Sequence, residues 1–303
     1  MGITASPPPP RHRRPSWVRT VLTQAALCVA LYLSISMCGG WRRRQQQQQR
    51  ADSADLYFLS VRGGARPPRL QTHLLLQMER VAKAYKARFV VDVSGFGEDD
   101  PLMRNGVTRF PALKIPWYVT RASRGGGIGC FLKKIALPRG RMLDVIGVDV
   151  DPLQDISNTE QQNDTQSSQL QWLTRTLATS NSNWRIVVGF HPLLICEGTP
   201  ATIKVHEPIH QLFLQYGVNA YMSEEGCADP YINKGGITYI GNPSPEAEDH
   251  RQSSNGGLNL HREAHEGFLL HRVSPLEIET IFVDSSSEVV FRSTLHQLGR
   301  DTM

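Results

Sequence analysis

Residues 56–93 read LYFLSVRGGARPPRLQTHLLLQMERVAKAYKARFVVDV, and this stretch decides the fold class. Its apolar opening, Leu56 to Val61, runs into Gly63-Gly64, the pattern of a buried strand that ends in a sharp turn. Leu74, Leu75, Met78, Val81, Ala82 and Tyr85 then recur at helical spacing across Gln71 to Lys86. Phe89 to Val93 is a second short β-rich run. Parallel strands cannot be joined by a tight hairpin, so strand, helix and strand in this order predict a βαβ unit whose crossover helix covers the pair.

The pattern extends toward the C-terminus. Trp117 to Thr120, Leu143 to Val150 and Trp184 to Gly189 read as strands, with a helix predicted over Ser167 to Ala178. A helix around Ile209 to Tyr216 and a strand at Ala220 to Ser223 follow. A meander then closes the chain, with strands at Ile237 to Ile240, Gly267 to Val273, Ile278 to Val283 and Val289 to Thr294. The ordering suggests two sheets packed face to face with helices outside. Asp155 to Gln166 and the Ser/Asn/His-rich Ser244 to Glu266 are expected as surface loops.

The formal net charge of +5 is a local property. Arg11, Arg13, Arg14, Arg19, Arg42, Arg43, Arg44 and Arg50 lie in the first fifty positions without one Asp or Glu among them. Elsewhere 25 basic residues face 28 acidic ones, so the rest of the chain is slightly acidic. No basic stripe with interleaved aromatics survives this partition, which argues against nucleic acid as a partner.

Thr20 to Gly40 carries no charge and is followed by Trp41 and Arg42 to Arg44, so residues 20–41 are expected to form a single-pass membrane anchor. The alternatives are a cleaved signal peptide and an organelle transit peptide. Four arginines flank each side, so the charge rule assigns no orientation. Residues 1–19 then form a disordered basic tail, 42–55 a basic and Gln-rich tether, and 56–303 the folded domain. Cys130, Cys196 and Cys227 are widely spaced in that domain, which allows one bridge at most, and Asn163-Asp164-Thr165 is an acceptor sequon for glycosylation.

Several phrases carry a resemblance: Lys114-Ile115-Pro116-Trp117-Tyr118-Val119, Gln169-Leu170-Gln171-Trp172-Leu173 ahead of Val187-Val188-Gly189, and Tyr216-Gly217-Val218-Asn219-Ala220-Tyr221. Gly236-Ile237-Thr238-Tyr239-Ile240 and the meander from Glu266 to Leu295 complete the set. In order and spacing these resemble the purple acid phosphatase branch of the calcineurin-like metallophosphoesterases, from about Leu56 to the C-terminus. The resemblance implies a four-layer α/β/β/α sandwich behind the anchor, with a two-metal centre at the carboxyl ends of the strands.

That centre needs carboxylates, histidines, an asparagine and a tyrosine, and the positions that match the family's motifs do not supply them. Val61 falls where the first Asp is expected, Gly95 where the bridging Asp is expected, and Glu98 where the Tyr is expected. Ser123 replaces the Asn and Arg124 the neighbouring His; Phe190, followed by His191, replaces another ligand; Glu225 and Cys227 replace the last two histidines. Valine, glycine and phenylalanine offer no donor to a divalent cation. The expectation is therefore a catalytically silent homologue with no cofactor, acting as a membrane-tethered domain that binds an unknown protein or an anionic ligand.

Two sharper readings stand beside it. Arg62 and Arg124 are candidates for a metal-free anion pocket, since paired guanidinium forks match phosphate geometry. Alternatively Glu98, His191, Glu225 and Cys227 are rebuilt ligands for a single zinc, iron or manganese ion, which would retain phosphoesterase activity. Asp149 and Asp151 at a strand end, His261 and His265 in the predicted loop, His271 just beyond it, and the glycine-rich 125–129 are more readily read as structural.

Overall fold

The computed structural model describes residues 55–120, 129–148, 160–196, 203–227, 230–243 and 266–297, together with Trp17, Val21, Leu22, Gln24, Ala25 and Leu27; for 160–167, Cys196 and Ile203 it describes the backbone alone. The chain divides into two units, Met1–Ser53 and Ala54–Met303. In the first, the six described residues are helical and exposed. Among the described residues no helix is long and apolar enough to cross a membrane, and most of the expected anchor lies outside them.

The second unit is a mixed α/β fold with two six-stranded sheets. Sheet 1 has the order β14-β13-β12-β1-β2-β3, built from β1 (Leu56–Arg62), β2 (Val90–Val93), β3 (Trp117–Val119), β12 (Gly267–Val273), β13 (Glu277–Asp284) and β14 (Val289–His296). Sheet 2 has the order β10-β11-β9-β6-β5-β4, from β4 (Phe131–Ala136), β5 (Met142–Val148), β6 (Trp184–Gly189), β9 (Ala220–Ser223), β10 (Tyr231–Lys234) and β11 (Ile237–Gly241). A small ribbon joins β7 (Leu194–Cys196) to β8 (Ile203–Val205). As the βαβ reading requires, β1 and β2 are parallel, Leu59 lying opposite Val90 and Arg62 opposite Val93.

Among the described residues four α-helices accompany the sheets: α1 (Pro68–Tyr85), α2 (Pro101–Arg109), α3 (Glu160–Thr179) and α4 (Glu207–Gln215). Pro68 opens α1, where its missing N–H costs nothing, and Leu74, Leu75, Met78 and Ala82 form the buried stripe that packs on Leu59, Val61 and Val90. α2 is started by Asp100, whose carboxylate accepts from the backbone N–H groups of Leu102 and Met103, with Pro101 at the first helical position.

Three apolar layers hold the unit together. Phe58, Phe89 and Val91 of sheet 1 meet Val145, Trp184, Ile186 and Met222 of sheet 2 in the central layer. Leu173 and Leu177 of α3 and Ile209 and Phe213 of α4 pack on the outer face of sheet 2, while α1 and Leu102 of α2 cover sheet 1. Each fully buried Leu, Ile or Phe in these layers contributes about 2 kcal/mol, so the sheet pair is fixed chiefly by apolar burial.

A polar bridge crosses the central layer. The Ser60 hydroxyl donates to Asn242 Oδ1 at 2.8 Å, and the Asn242 amide donates to the Ser223 carbonyl, also at 2.8 Å. His271 Nε2 lies 2.9 Å from Ser60 Oγ, and its Nδ1 lies 3.0 Å from the Thr280 hydroxyl. With the Ser60 proton committed to Asn242, Nε2 is the donor, and in the neutral ring that burial favours Nδ1 accepts from the Thr280 hydroxyl. Burial alone pushes the His271 pKa down to about 3.

The expected strands and helices are present with small shifts at their ends. Sequence reading missed β4, β10, the ribbon and α2. The polar stretch expected as a loop over 155–166 is helical from Glu160 onward, because its Glu and Gln residues are good helix formers even without an apolar stripe. Asn163 falls inside that helix, with its side chain outside the described residues, and 244–265 lie outside them as well.

Candidate functional site

The carboxyl ends of β1, β2, β6 and β9 meet at one edge of the sandwich. Beyond Arg62, the Gly63 N–H donates to the Val93 carbonyl at 2.9 Å, which carries the β1–β2 ladder into the turn. Gly64 then takes φ +101°, a conformation other residues adopt only with strain. Across the gap, the Glu224 N–H after β9 donates to the carbonyl of Phe190 after β6 at 3.0 Å.

Two aspartates fill the sheet 1 side. Asp92, on β2, and Asp100, at the start of α2, are both fully buried. Asp100 accepts four hydrogen bonds: Oδ1 from Leu102 N at 2.7 Å and Met103 N at 3.1 Å, and Oδ2 from Gly64 N at 2.6 Å and the Ser94 hydroxyl at 2.5 Å. Among the described residues no N–H or hydroxyl group donates to either oxygen of Asp92, and the group that can share a proton with it is the Asp100 carboxyl. Burial first, and the Asp100 charge second, raise the Asp92 pKa well above the usual carboxylate range, with Arg66 opposing.

Arg66 is itself committed. It donates to Glu266 at 2.5 Å and to the Arg62 carbonyl at 2.7 Å, with longer bonds to the carbonyls of Gly63 and Gly64. At the mouth, Arg62 Nη2 lies 3.5 Å from Glu224 Oε2, both side chains being mostly shielded from solvent. Thr120 Oγ1 accepts from the Ser94 N–H at 2.9 Å and donates to the Ser94 carbonyl at 3.0 Å, which fixes the chain after β2.

The expected site residues are scattered around this cluster. Val61 does not stand at the mouth: its side chain is fully buried in the layer beneath α1, and the residue that reaches the gap is Gly63, two positions on. Gly95 is at the gap's edge, and Glu98 is exposed on a short turn over Gly97–Asp99. Phe190 and His191 are half-buried, with rings edge to face at 4.8 Å, and the His191 carbonyl accepts from the Tyr221 hydroxyl at 2.7 Å.

Three candidates have surroundings that bear on their alternative roles as ligands or anion binders. Glu225 is exposed, so its side chain faces solvent. Cys227 is held in a disulfide, so its sulfur is not a thiolate ready for zinc. Arg62, read as an anion-binding candidate, already has Glu224 as counter-charge. Ser123 and Arg124 lie outside the described residues, as do Asp149, Asp151, His261 and His265. Among the described residues no three His, Cys, Asp or Glu side chains stand together as a metal site.

Sequence comparison adds the lineage. Tartrate-resistant acid phosphatase type 5 of Mus musculus is 29% identical over 143 residues, which are 44% of this chain and 43% of that protein. The chain is a homologue of the purple acid phosphatases. The human tartrate-resistant acid phosphatase type 5 is 27% identical over 143 residues, 44% of each chain. The chain thus spans less than half the length of the curated relatives it matches, and no family model matches it. Among solved structures, GAP50, the anchor in the inner membrane complex of Plasmodium, superposes with a TM-score of 0.60 at 16% identity, covering 82% of this chain and 90% of that one. This supports the metallophosphoesterase-like fold.

The described residues do not fit the two-metal centre that purple acid phosphatase homology implies. A Cβ at position 63 would stand within 2.6 Å of Asp100 Oδ2 and the Ser94 Cβ, and closer still to Asp92 Oδ1. No side chain at 63 can enter that space while these neighbours hold it, and Gly95 supplies no donor. Sequence reasoning missed Asp92 and Asp100, although both leave a trace. An acid inside the apolar run 89–93 marks a buried carboxyl, and Asp100-Pro101 marks a helix start.

Proposed function

We propose that this chain is a catalytically silent metallophosphoesterase homologue that serves as a membrane-tethered binding or scaffold domain. The observation that carries this reading is the space beside Gly63, which Asp92, Asp100 and Ser94 occupy. Hydrolysis of a phosphomonoester by this fold needs two cations to polarise phosphate and activate water. The Asp100 carboxylate here is instead occupied by backbone amides and a serine, and burial pushes that of Asp92 toward the neutral form. A tethering role is supported by the uncharged run at 20–41 and by the fold shared with GAP50, described as a membrane-complex anchor.

The disulfide at Cys227 supports an oxidising compartment for the domain, and with it a reading in which the tethered domain faces a lumen or the exterior. The central experiment is hydrolysis of para-nitrophenyl phosphate by the full chain in detergent, with iron, zinc or manganese added at acidic and neutral pH. No release above the protein-free blank is expected. Turnover abolished by a chelator would overturn the reading.

A further inference from the structure

We propose that Asp92 is a built-in plug: as a neutral carboxylic acid it fills the space beside Gly63 and closes the gap between β1, β2 and the start of α2 without a cation. The proposal deepens the silent-homologue reading, on which it rests, by naming the residue that takes the place of a metal-binding side chain.

The geometry determines which aspartate holds the proton. Asp92 Oδ1 and Asp100 Oδ2 both lie within 2.6 Å of one point, the position of a Cβ on Gly63, so they stand within about 5 Å of each other. Two negative charges this close, out of water, do not persist without a counter-ion. Four donors converge on Asp100, whereas among the described residues no N–H or hydroxyl reaches Asp92, whose proton has the Asp100 carboxylate as its acceptor. A charge on Asp92 would be unsolvated, whereas a protonated carboxyl needs far less compensation. The negative charge therefore rests on Asp100 and the proton on Asp92.

The other charged groups near the gap do not reverse this. Arg66 favours ionised Asp92, but its guanidinium is spent on Glu266 and three backbone carbonyls. Arg62 is paired with Glu224 at the mouth. Ser94 gives its hydroxyl to Asp100 and Thr120 gives its own to the Ser94 carbonyl, so neither donates to Asp92. The pair Asp92–Asp100 resembles the protonated and ionised members of a carboxyl dyad, but it is sealed and engages the backbone rather than a substrate.

The plug has a defined pH signature. The folded-state pKa of Asp92 is raised, so its contribution is fully present below the unfolded carboxyl value and is lost as pH rises through the folded value. Asparagine has the shape of the neutral acid and does not titrate. The test compares Tm of the full chain in detergent against pH for wild type, Asp92→Asn and Asp92→Ala, with infrared difference spectra in the protonated-carboxyl region.

Asp92→Asn is expected to melt at or a few degrees above wild type at neutral pH, with the gap widening as pH rises. The carboxylic C=O band of wild type is expected to vanish in Asp92→Asn. If Asp92→Asn melts as low as Asp92→Ala at every pH and no band is lost, Asp92 is ionised and the plug is refuted. A Tm increase on adding zinc or manganese that wild type shows and Asp92→Asn lacks would also overturn it, since the pair would then be a cation site. Neither result requires turnover, so the plug can fail while the silent-homologue reading stands.

Discussion

Arg62 and Glu224 join the two sheets at the mouth of the candidate site, the guanidinium standing 3.5 Å from the carboxylate. β1 ends at Arg62 and β9 ends one residue before Glu224, so the pair spans the gap between the carboxyl ends of the two sheets. Coulomb attraction between partly shielded side chains at this distance contributes about 1 kcal/mol. Arg62→Ala and Glu224→Ala should each lower stability by about 1 kcal/mol, and the double variant should lose less than the sum. Urea denaturation at low and high salt measures both the coupling and its screening.

His271 makes the domain sensitive to acid. Its ordinary pKa is 6.5 and its folded pKa is about 3, so the unfolded chain binds a proton that the folded one refuses. Its contribution is complete above 6.5 and declines as pH falls, by about 1.4 kcal/mol per unit, until the folded value is reached. His271→Gln should be less stable than wild type at neutral pH by about 1–3 kcal/mol, through lost bonds to Ser60 and Thr280. It should also lose this acid-side slope, as read from denaturation midpoints across the range.

A second buried network lies near the amino ends of β5 and β6. Ser180 and Ser182 donate to the two oxygens of Asp144 at 2.6 Å each, while Arg185 Nε donates to Ser180 Oγ at 2.8 Å. Ser180→Ala leaves Asp144 with one donor fewer and Arg185 without its acceptor at Nε. The expected loss is about 2–3 kcal/mol, measurable by chemical denaturation. Thr179→Ala, at an exposed helix end, should change stability by less than about 0.5 kcal/mol.

Gly64 is the second constrained turn residue. At φ +101° a Cβ meets only Phe96 at 3.8 Å, so the cost of Gly64→Ala is conformational rather than steric. A loss of about 1–2 kcal/mol is expected. Gly63→Ala should cost more, because its Cβ collides with buried carboxyl oxygens. Reversal of that order in thermal melts would place the obstruction elsewhere.

Mass spectrometry of peptides prepared under thiol-blocking, non-reducing conditions should recover Cys227 only in a disulfide-linked species. Blocked, unlinked Cys227 in the native protein would argue against an oxidising compartment.

The sequence alone was sufficient for the βαβ opening, the two-sheet arrangement and the lineage. The first two are written in local periodicity, since Leu74, Leu75, Met78 and Ala82 form a helical stripe wherever they are placed, and the lineage in the phrases that resemble the family. The absence of donors at Gly95 and Phe190 was equally legible, because residue type alone decides it. The tertiary structure decided what lies in the gap. Strand register turned Val61 inward and brought Gly63 to the site. Chain crossing brought Asp92 beside Asp100, Arg62 to Glu224 and Ser60 to Asn242 from 182 positions away. Side-chain proximity between distant segments has no trace in local pattern, and the protonation of Asp92 follows from that proximity and from the exclusion of water, both products of packing.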